Sequence, residues 1–312
     1  MRLVLFHRKF RRFHGGHLKV WDYFNHALAT PGFDVRILFD ESTSWDASNP
    51  WSDARDRVVT SLDNVEPDLL FIAGRDWQRL EGMGLLDRGL PILNLIQHIR
   101  HADDWSIQSR YLHRKAIRIC VSEEVADALK SAGSEGPTIV IPNSVDLPIL
   151  EGVDGNARPV DLFIAGPKQP VMARRLHELL EPTQLRIQTT TDHVERGVFL
   201  DAMREARVTV FLPNEEEGFY LPALEGMALG TIVVCPDCVG NRSFCVPGVS
   251  AFRPNYSFDA IAEAAHHALA LSKTEQIALI SGARRVALDH APEAERAAFA
   301  RILLKIDQLW AA

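Results

Sequence analysis

The chain has 312 residues, 46% of them hydrophobic and 24% charged, and carries a formal net charge of −7. That length has room for two domains with substantial cores, and the composition is that of a globular protein. The acidic balance disfavours bulk nucleic acid as a partner, no apolar run is as long as a membrane span, and Met1 leads straight into an apolar strand, so a cytoplasmic protein without a removable leader is expected.

In chain order, RLVLFH (2–7) reads as a strand. The basic run HRKFRRFH (7–14), a turn at Gly15-Gly16 and a helix through LKVWDYFNHAL follow. Four apolar strands come next: FDVRILFD (33–40), PDLLFIAG (67–74), PILNLIQH (91–98) and AIRICVS (116–122). A helix EEVADALKSAG and a strand PTIVIPN (137–143) close this half. Almost uniformly apolar strands alternating with helical patterns imply a parallel sheet covered on both faces. The stretch DLPILEGVDGNARP (146–159) is the linker candidate, from its Pro, Gly, Asp and Asn.

The pattern then restarts with VDLFIAG (160–166), QLRIQTT (184–190), RVTVFLP (207–213) and TIVVCP (231–236). From about residue 257 the chain reads as helical, ending in EAERAAFARILLKIDQLW (293–310). The expected architecture is α/β, with two Rossmann-like, doubly wound parallel-sheet domains over 1–150 and 151–292. A ligand cleft is expected at the strand carboxyl ends, where the domains face each other. Residues 293–312 are expected to pack across the domain junction, by analogy of fold.

The four cysteines are Cys120, Cys235, Cys238 and Cys245. Cys120 and Cys235 sit in strand-like runs, where a buried free thiol is the ordinary reading. Cys235, Cys238 and Cys245 lack the paired spacing and the nearby histidine of a zinc site, so no metal is expected. A disulfide in that loop would be out of place in a reducing compartment.

The chemistry concentrates in EEEGFYLPALEGMALG (215–230). Glu217-Gly218-Phe219 reads as loop, Pro222 suits the first turn of a helix, and Gly230 stops it. Glu217 therefore precedes the helix and Glu225 lies within it. A helix N-terminus already favours an anion, so two acids aimed at it call for a reason beyond the helix itself. Glu215 and Glu216 read as solvated loop acids.

EGFYLPALEGMALGTIVV resembles the Glu-x7-Glu signature of GT-B glycosyltransferases, in particular the large retaining family that uses nucleotide sugars. VIPNSVDLP (140–148) and CPDCVGNRSFCVPGVSAFRP (235–254) resemble two further segments of that family, in the right order. The resemblance implies a GT-B fold. It places Glu225 on the donor's ribose and Glu217 on its sugar, with the amides of Gly218, Phe219, Tyr220 and Leu221 receiving phosphate. Hydrogen bonds to charged groups contribute about 1.5–3 kcal/mol each, which suits carboxylates to hydroxyl pairs.

Relatives often carry a glycine pair after the first strand, where Gly15 and Gly16 stand. The pattern is not GxGxxG, so a dinucleotide fingerprint is unsupported. Relatives also bring a histidine towards the donor sugar after the strand that here ends at His98; His101 and Asp103 nearby are further acid–base candidates. The basic run 7–14 reads either as a solvated loop or as a lip for an anionic acceptor or a weak membrane-surface contact, which would make the protein peripheral to the inner face.

The phosphate clamp departs from the family pattern. In IAGPKQPVMARRL, Lys168 follows Gly166 by two residues, and Ala173 falls where a lysine is usual. Lys168 becomes the main phosphate candidate, with Arg174 and Arg242 as helpers. Thr190, Thr191 and Asp192 are expected near the nucleobase, although Asp192 equally suits a helix N-cap. The expected activity is metal-independent, cofactor-free transfer of a sugar from a nucleotide-sugar donor to a hydroxyl of a glycan or lipid-linked glycan, with retention by resemblance. A silent sugar-nucleotide-binding subunit and a GT-B epimerase are the alternatives; a nicotinamide oxidoreductase lacks its glycine fingerprint.

Overall fold

The computed structural model describes residues 1–11, 15–63, 65–149 and 157–312. Residues 12–14 of the basic run and 150–156 of the expected linker lie outside the described residues. The chain divides into two units: Met1–Asn143 with Glu293–Ala312, and Ser144–Pro292. The sequence reading places the first division a few residues later, at 150/151.

The first unit opens with β1 (Arg2–Arg8), α1 (Gly15–Leu28) and β2 (Phe33–Phe39). It continues through β3 (Val58–Val59), β4 (Leu69–Ala73), α2 (Asp76–Gly82) and β5 (Ile92–Ile96). Then come β6 (Ile117–Cys120), α3 (Glu123–Ser131) and β7 (Thr138–Val140). The strands pair in parallel in the order β3-β2-β1-β4-β5-β6-β7. Strand order therefore reverses between β1 and β4, and loops at such a switch point diverge to leave a crevice. The two-residue β3 was not anticipated, being too short to carry a hydrophobic pattern. Gly15 and Gly16 also differ from expectation: they are the first residues of α1, not a turn before it.

The second unit contains β8 (Val160–Ala165), α4 (Pro170–Leu180), β9 (Ile187–Thr190) and α5 (Arg196–Glu205). β10 (Ala206–Phe211), α6 (Leu221–Ala228) and β11 (Ile232–Val234) follow. α7 (Phe258–Ala270) and α8 (Lys273–Asp289) complete it. Its strands are parallel in the order β11-β10-β8-β9, with the reversal between β8 and β10. Alternate residues face opposite ways. Thus Leu162 and Ile164 pack with Ala173 and Leu176 of α4 and Ile261 of α7. Phe163 and Ala165 pack with Leu200 of α5, Leu224 of α6 and Ala283 of α8. Burial on both faces is the reason Leu162–Ala165 of β8 and all of β11 read as apolar runs, whereas the edge strand β9 is only partly covered and more polar.

The chain ends in α9 (Pro292–Leu304) and α10 (Ile306–Ala311), which count with the first unit from Glu293 onward. Phe299 of α9 meets Tyr23 of α1 edge-on at 4.8 Å and Phe71 of β4 at 5.8 Å. Lys19 Nζ donates to Glu295 Oε2 at 2.6 Å, with both side chains 1% exposed. A buried ion pair inside an aromatic face fixes the angle at which α9 lies on α1, because neither charge has water to retreat to.

Candidate functional site

In the second unit the switch point is built from two loops. After β8 the chain turns through Gly166, Pro167 and Lys168 into α4; after β10 it runs from Leu212 to Tyr220 into α6. The Leu212 amide donates to Ala165 O at 3.1 Å and Gln169 Nε2 to Asn214 Oδ1 at 3.3 Å, so the loops are stitched together. A Cβ on Gly166 would stand 2.3 Å from that of Ala173, which is how closely the first loop packs on α4.

Glu217 projects into this junction. Its Oε1 accepts from the Asn214 amide at 3.0 Å and from Lys168 Nζ at 2.6 Å. The Glu217 side chain is only 12% exposed, while that of Lys168 is 42% exposed. Lys168 Nζ also lies 5.3 Å from the centre of the Tyr220 ring. Tyr220 is buried, and burial pushes its phenol well above the ordinary range. Three residues singled out from the sequence, Lys168, Glu217 and Tyr220, thus meet at one point.

The second loop rests on a third, after β11. Tyr220 donates its amide to Gly240 O at 2.8 Å, and Val239 donates to Glu215 O at 2.9 Å. The amides of Tyr220 and Leu221 are therefore spent inside the protein, the latter on Phe219 O at 3.1 Å. That narrows the amides expected to receive phosphate to those of Gly218 and Phe219.

Glu225 is the fifth residue of α6, further from its start than expected, and it is buried. Its Oε1 lies 2.6 Å from Arg196 Nη1, at the first position of α5. Arg196 was missed by sequence reasoning. Its only local signal is an arginine at the start of a helical pattern, and its pairing with a residue on another helix is a product of packing. The same two helices are joined at their other ends by Arg158. Its Nη1 donates to Met203 O and Ala206 O at 3.0 and 2.8 Å, and its Nη2 to Leu229 O at 2.7 Å. These carbonyls lie at helix C-termini, where no intrahelical donor remains. Gly230 then takes φ +70° to end α6, a conformation that favours glycine.

Thr191 follows β9, and its hydroxyl donates to Asp192 Oδ2 at 3.1 Å. Asp192 is not a helix cap, because α5 starts four residues later with Glu195 at its N-cap position. Arg174 is exposed on α4. Arg242 is engaged with Asp237, Nη2 to Oδ2 at 2.7 Å, so as a phosphate helper it would have to leave that carboxylate. All four cysteines are free and buried. Asn241 Nδ2 donates to Cys235 Sγ at 3.1 Å and to Pro236 O at 2.8 Å, which makes the loop after β11 a packed support. Among the described residues no group of three His, Cys, Asp or Glu side chains could hold a metal ion.

In the first unit His98, His101 and Asp103 share the turn after β5. The His98 ring caps this turn, Nδ1 accepting from the Arg100 amide at 3.1 Å, with the Arg100 guanidinium 3.1 Å from Nε2. Desolvation, assisted by His98, lowers the His101 imidazole to about 4, so it is neutral near pH 7. Asp103 ends the turn, its amide donating to Arg100 O at 3.3 Å. Gln97 Nε2 donates to Gly16 O at 3.3 Å, joining the end of β5 to the start of α1. Among the described residues nothing lies within 4 Å of a Cβ added at Gly15.

The basic run is corrected in part. His7 and Arg8 are buried and turned inward onto Asp76, with His7 Nδ1 3.0 Å from Oδ1 and Arg8 Nη1 donating to Oδ2 at 3.2 Å. Asp76 Oδ2 also accepts from the Ala73 amide at 2.9 Å. Only Lys9 and Arg11 of residues 7–11 are exposed, and Lys9 Nζ lies 3.7 Å from Asp40 Oδ1. A wholly solvated basic lip is therefore not what this segment forms.

Residues 148–270 match the family described as glycosyl transferases group 1. No curated protein matches the sequence. Among solved structures, HepE of Anabaena in complex with UDP and glucose is similar, with a TM-score of 0.75 at 13% identity, over 98% of this chain and 100% of that chain. Sucrose-phosphate synthase from Thermosynechococcus elongatus gives 0.72 at 13% identity, over 99% and 100%. The lipopolysaccharide outer core galactosyltransferase WaaB, in its apo form, gives 0.70 at 10% identity, over 98% and 99%. At such identities the likeness carries the fold, which is GT-B with two Rossmann-like sheets, and the family match makes residues 148–270 similar to a glycosyl transferases group 1 domain.

Proposed function

We propose that the protein transfers a sugar from a nucleotide-sugar donor to a hydroxyl of a glycan or lipid-linked glycan, with retention at the anomeric carbon and without a bound metal. The observation that carries the proposal is the Lys168–Glu217 contact across the β8/β10 switch point, within the segment that matches group 1 glycosyltransferases. Crevices at such points bind ligands at strand carboxyl ends. The complexes of HepE with UDP and with UDP-glucose support a nucleotide sugar as the donor.

In this reading Glu225 accepts from the ribose hydroxyls and Glu217 from the sugar hydroxyls. Lys168 and the amides of Gly218 and Phe219 face the diphosphate. When the bond between the anomeric carbon and the phosphate oxygen breaks, the electron pair stays on the phosphate, and preorganised positive groups stabilise it there. Because protein groups supply that charge, the proposal is that a chelator leaves the rate unchanged.

Catalytic parts for His98 and Asp103 belong to the same proposal. His98→Ala and Asp103→Asn are expected to lower turnover while leaving nucleotide affinity in place. No role is needed for a basic membrane contact, which in the described part of residues 7–14 would fall to Lys9 and Arg11. Among the described residues no helix is long and apolar enough to cross a membrane.

The test is nucleotide release from a panel of nucleotide sugars with and without oligosaccharide and polyprenyl-phosphate-linked acceptors, using the wild type and Glu217→Gln. Release that requires acceptor and is lost in the variant supports the proposal. Donor conversion without acceptor indicates an epimerase, and binding without any turnover indicates a binding subunit. The anomeric configuration of the product, read by NMR, decides retention.

A further inference from the structure

The resemblance implies a clamp lysine where this chain has Ala173, and the surroundings of Ala173 leave no place for that charge. Ala173 is fully buried and lies against Gly166 and the β8 face of the core. A lysine at that position would carry its charge into an apolar layer. The next residue, Arg174, is exposed on α4. A second cation does reach the acids of the site, but from another helix: Arg196 Nη1 lies 2.6 Å from Glu225 Oε1.

This ion pair conflicts with the role of Glu225 unless the cation has somewhere else to go. The Glu225 side chain is 5% exposed, so ribose hydroxyls must take over the oxygen that Arg196 holds. A neutral hydroxyl makes a weaker bond to a carboxylate than a guanidinium does, so a diol alone displaces the arginine poorly. A phosphate beside the ribose changes the balance, because it offers the guanidinium a second anion of matching geometry. Arg196 is placed to make that move. Its side chain is 40% exposed, it stands at the first position of α5 with no capping side chain, and its neighbour Gly197 has open space around it.

We propose that Arg196 is an exchange residue of the donor site: the ribose diol takes Glu225 from it, and the donor's phosphate takes the guanidinium. It thereby replaces the clamp cation that position 173 cannot hold, and it makes tight binding conditional on a ligand that carries diol and phosphate together. The inference rests on the donor-site reading above.

The test is calorimetric titration of wild type, Arg196→Ala and Arg196→Lys with uridine and with UDP; guanosine with GDP and adenosine with ADP serve if the uridine pair does not bind. The exchange predicts opposite signs. In Arg196→Ala the nucleoside binds more tightly than to wild type, since nothing need be displaced, while the nucleoside diphosphate loses about tenfold, the scale of one charged hydrogen bond. Arg196→Lys keeps most of the diphosphate affinity. If Arg196→Ala is poorly folded, Arg196→Gln, which keeps a donor to Glu225 but no charge, must show the same diphosphate loss. Nucleoside and diphosphate affinities that move together, or not at all, overturn the exchange. If the wild type binds none of the pairs and neither CMP nor dTDP, the donor-site reading itself fails, a result seen before any variant is measured.

Discussion

Gly240 lies so close to Glu217 that an added Cβ would stand 2.9 Å from the Glu217 Cβ and 2.9 Å from its carbonyl oxygen. The same Cβ would be 2.8 Å from the Phe219 nitrogen. Two loops from neighbouring strands are thus in backbone contact, and the position of the Glu217 carboxylate depends on the absence of a side chain on the other loop.

Gly240→Ala should therefore displace the Glu217 loop. Overpacking costs about 1–3 kcal/mol, a modest loss in melting temperature. The effect on transfer is expected to be larger, a fall of about 10- to 100-fold in kcat/KM, because small misplacements of positioning groups are costly. Steady-state kinetics beside a melting curve check this. A variant that melts lower but turns over normally would show that the contact matters for stability alone.

Lys168→Met should lower kcat by about 100-fold or more, the scale of removing one preorganised group that stabilises developing charge. Lys168→Arg should recover part of it. Kinetics with saturating donor separate this from a loss of binding, which would appear in KM.

The ion pair between Lys19 and Glu295 anchors α9 to α1 and gives a stability prediction independent of catalysis. Glu295→Ala removes one of the carboxylates paired with a buried lysine that also meets Asp22, 2.8 Å away, and is expected to cost about 3–5 kcal/mol. The double change Lys19→Met with Glu295→Leu should cost less than the single one, because it removes the buried charge as well as its partner. Denaturant unfolding of the three proteins checks the order.

His101 sets a pH dependence in the same unit. Its imidazole falls from 6.5 to about 4, chiefly through desolvation and secondarily through His98. Between those values the unfolded chain binds a proton that the folded protein does not, so stability from this group is present above pH 6.5 and declines as pH drops towards 4. His101→Phe should flatten that part of the stability–pH curve. An unchanged slope in the variant would assign it to other groups.

Much of the fold was legible because parallel strands covered on both faces are apolar throughout. β8 and β10 read as strands from composition alone, and their adjacency brought Lys168 to Glu217. What was not legible depended on partners distant in sequence. Arg8 looked like a solvent-facing charge among other basic residues, yet Asp76, 68 positions later, draws it inside. Arg196 was overlooked because nothing local marks its contact with Glu225, which exists only once α5 and α6 pack side by side. The tyrosine and leucine amides after Phe219 looked available for phosphate, since a helix start ordinarily leaves amides open; here Gly240 O and Phe219 O accept from them.

The most direct test of the central claim is a thermal-shift panel of UDP, GDP, CMP, ADP and dTDP on the wild type and Glu225→Ala. A nucleotide at 100 times its dissociation constant stabilises the folded protein by about 2.7 kcal/mol. The donor-site account requires one nucleotide to raise the melting temperature of the wild type and to raise that of Glu225→Ala distinctly less. A panel that shifts neither protein, or shifts both equally, would contradict it.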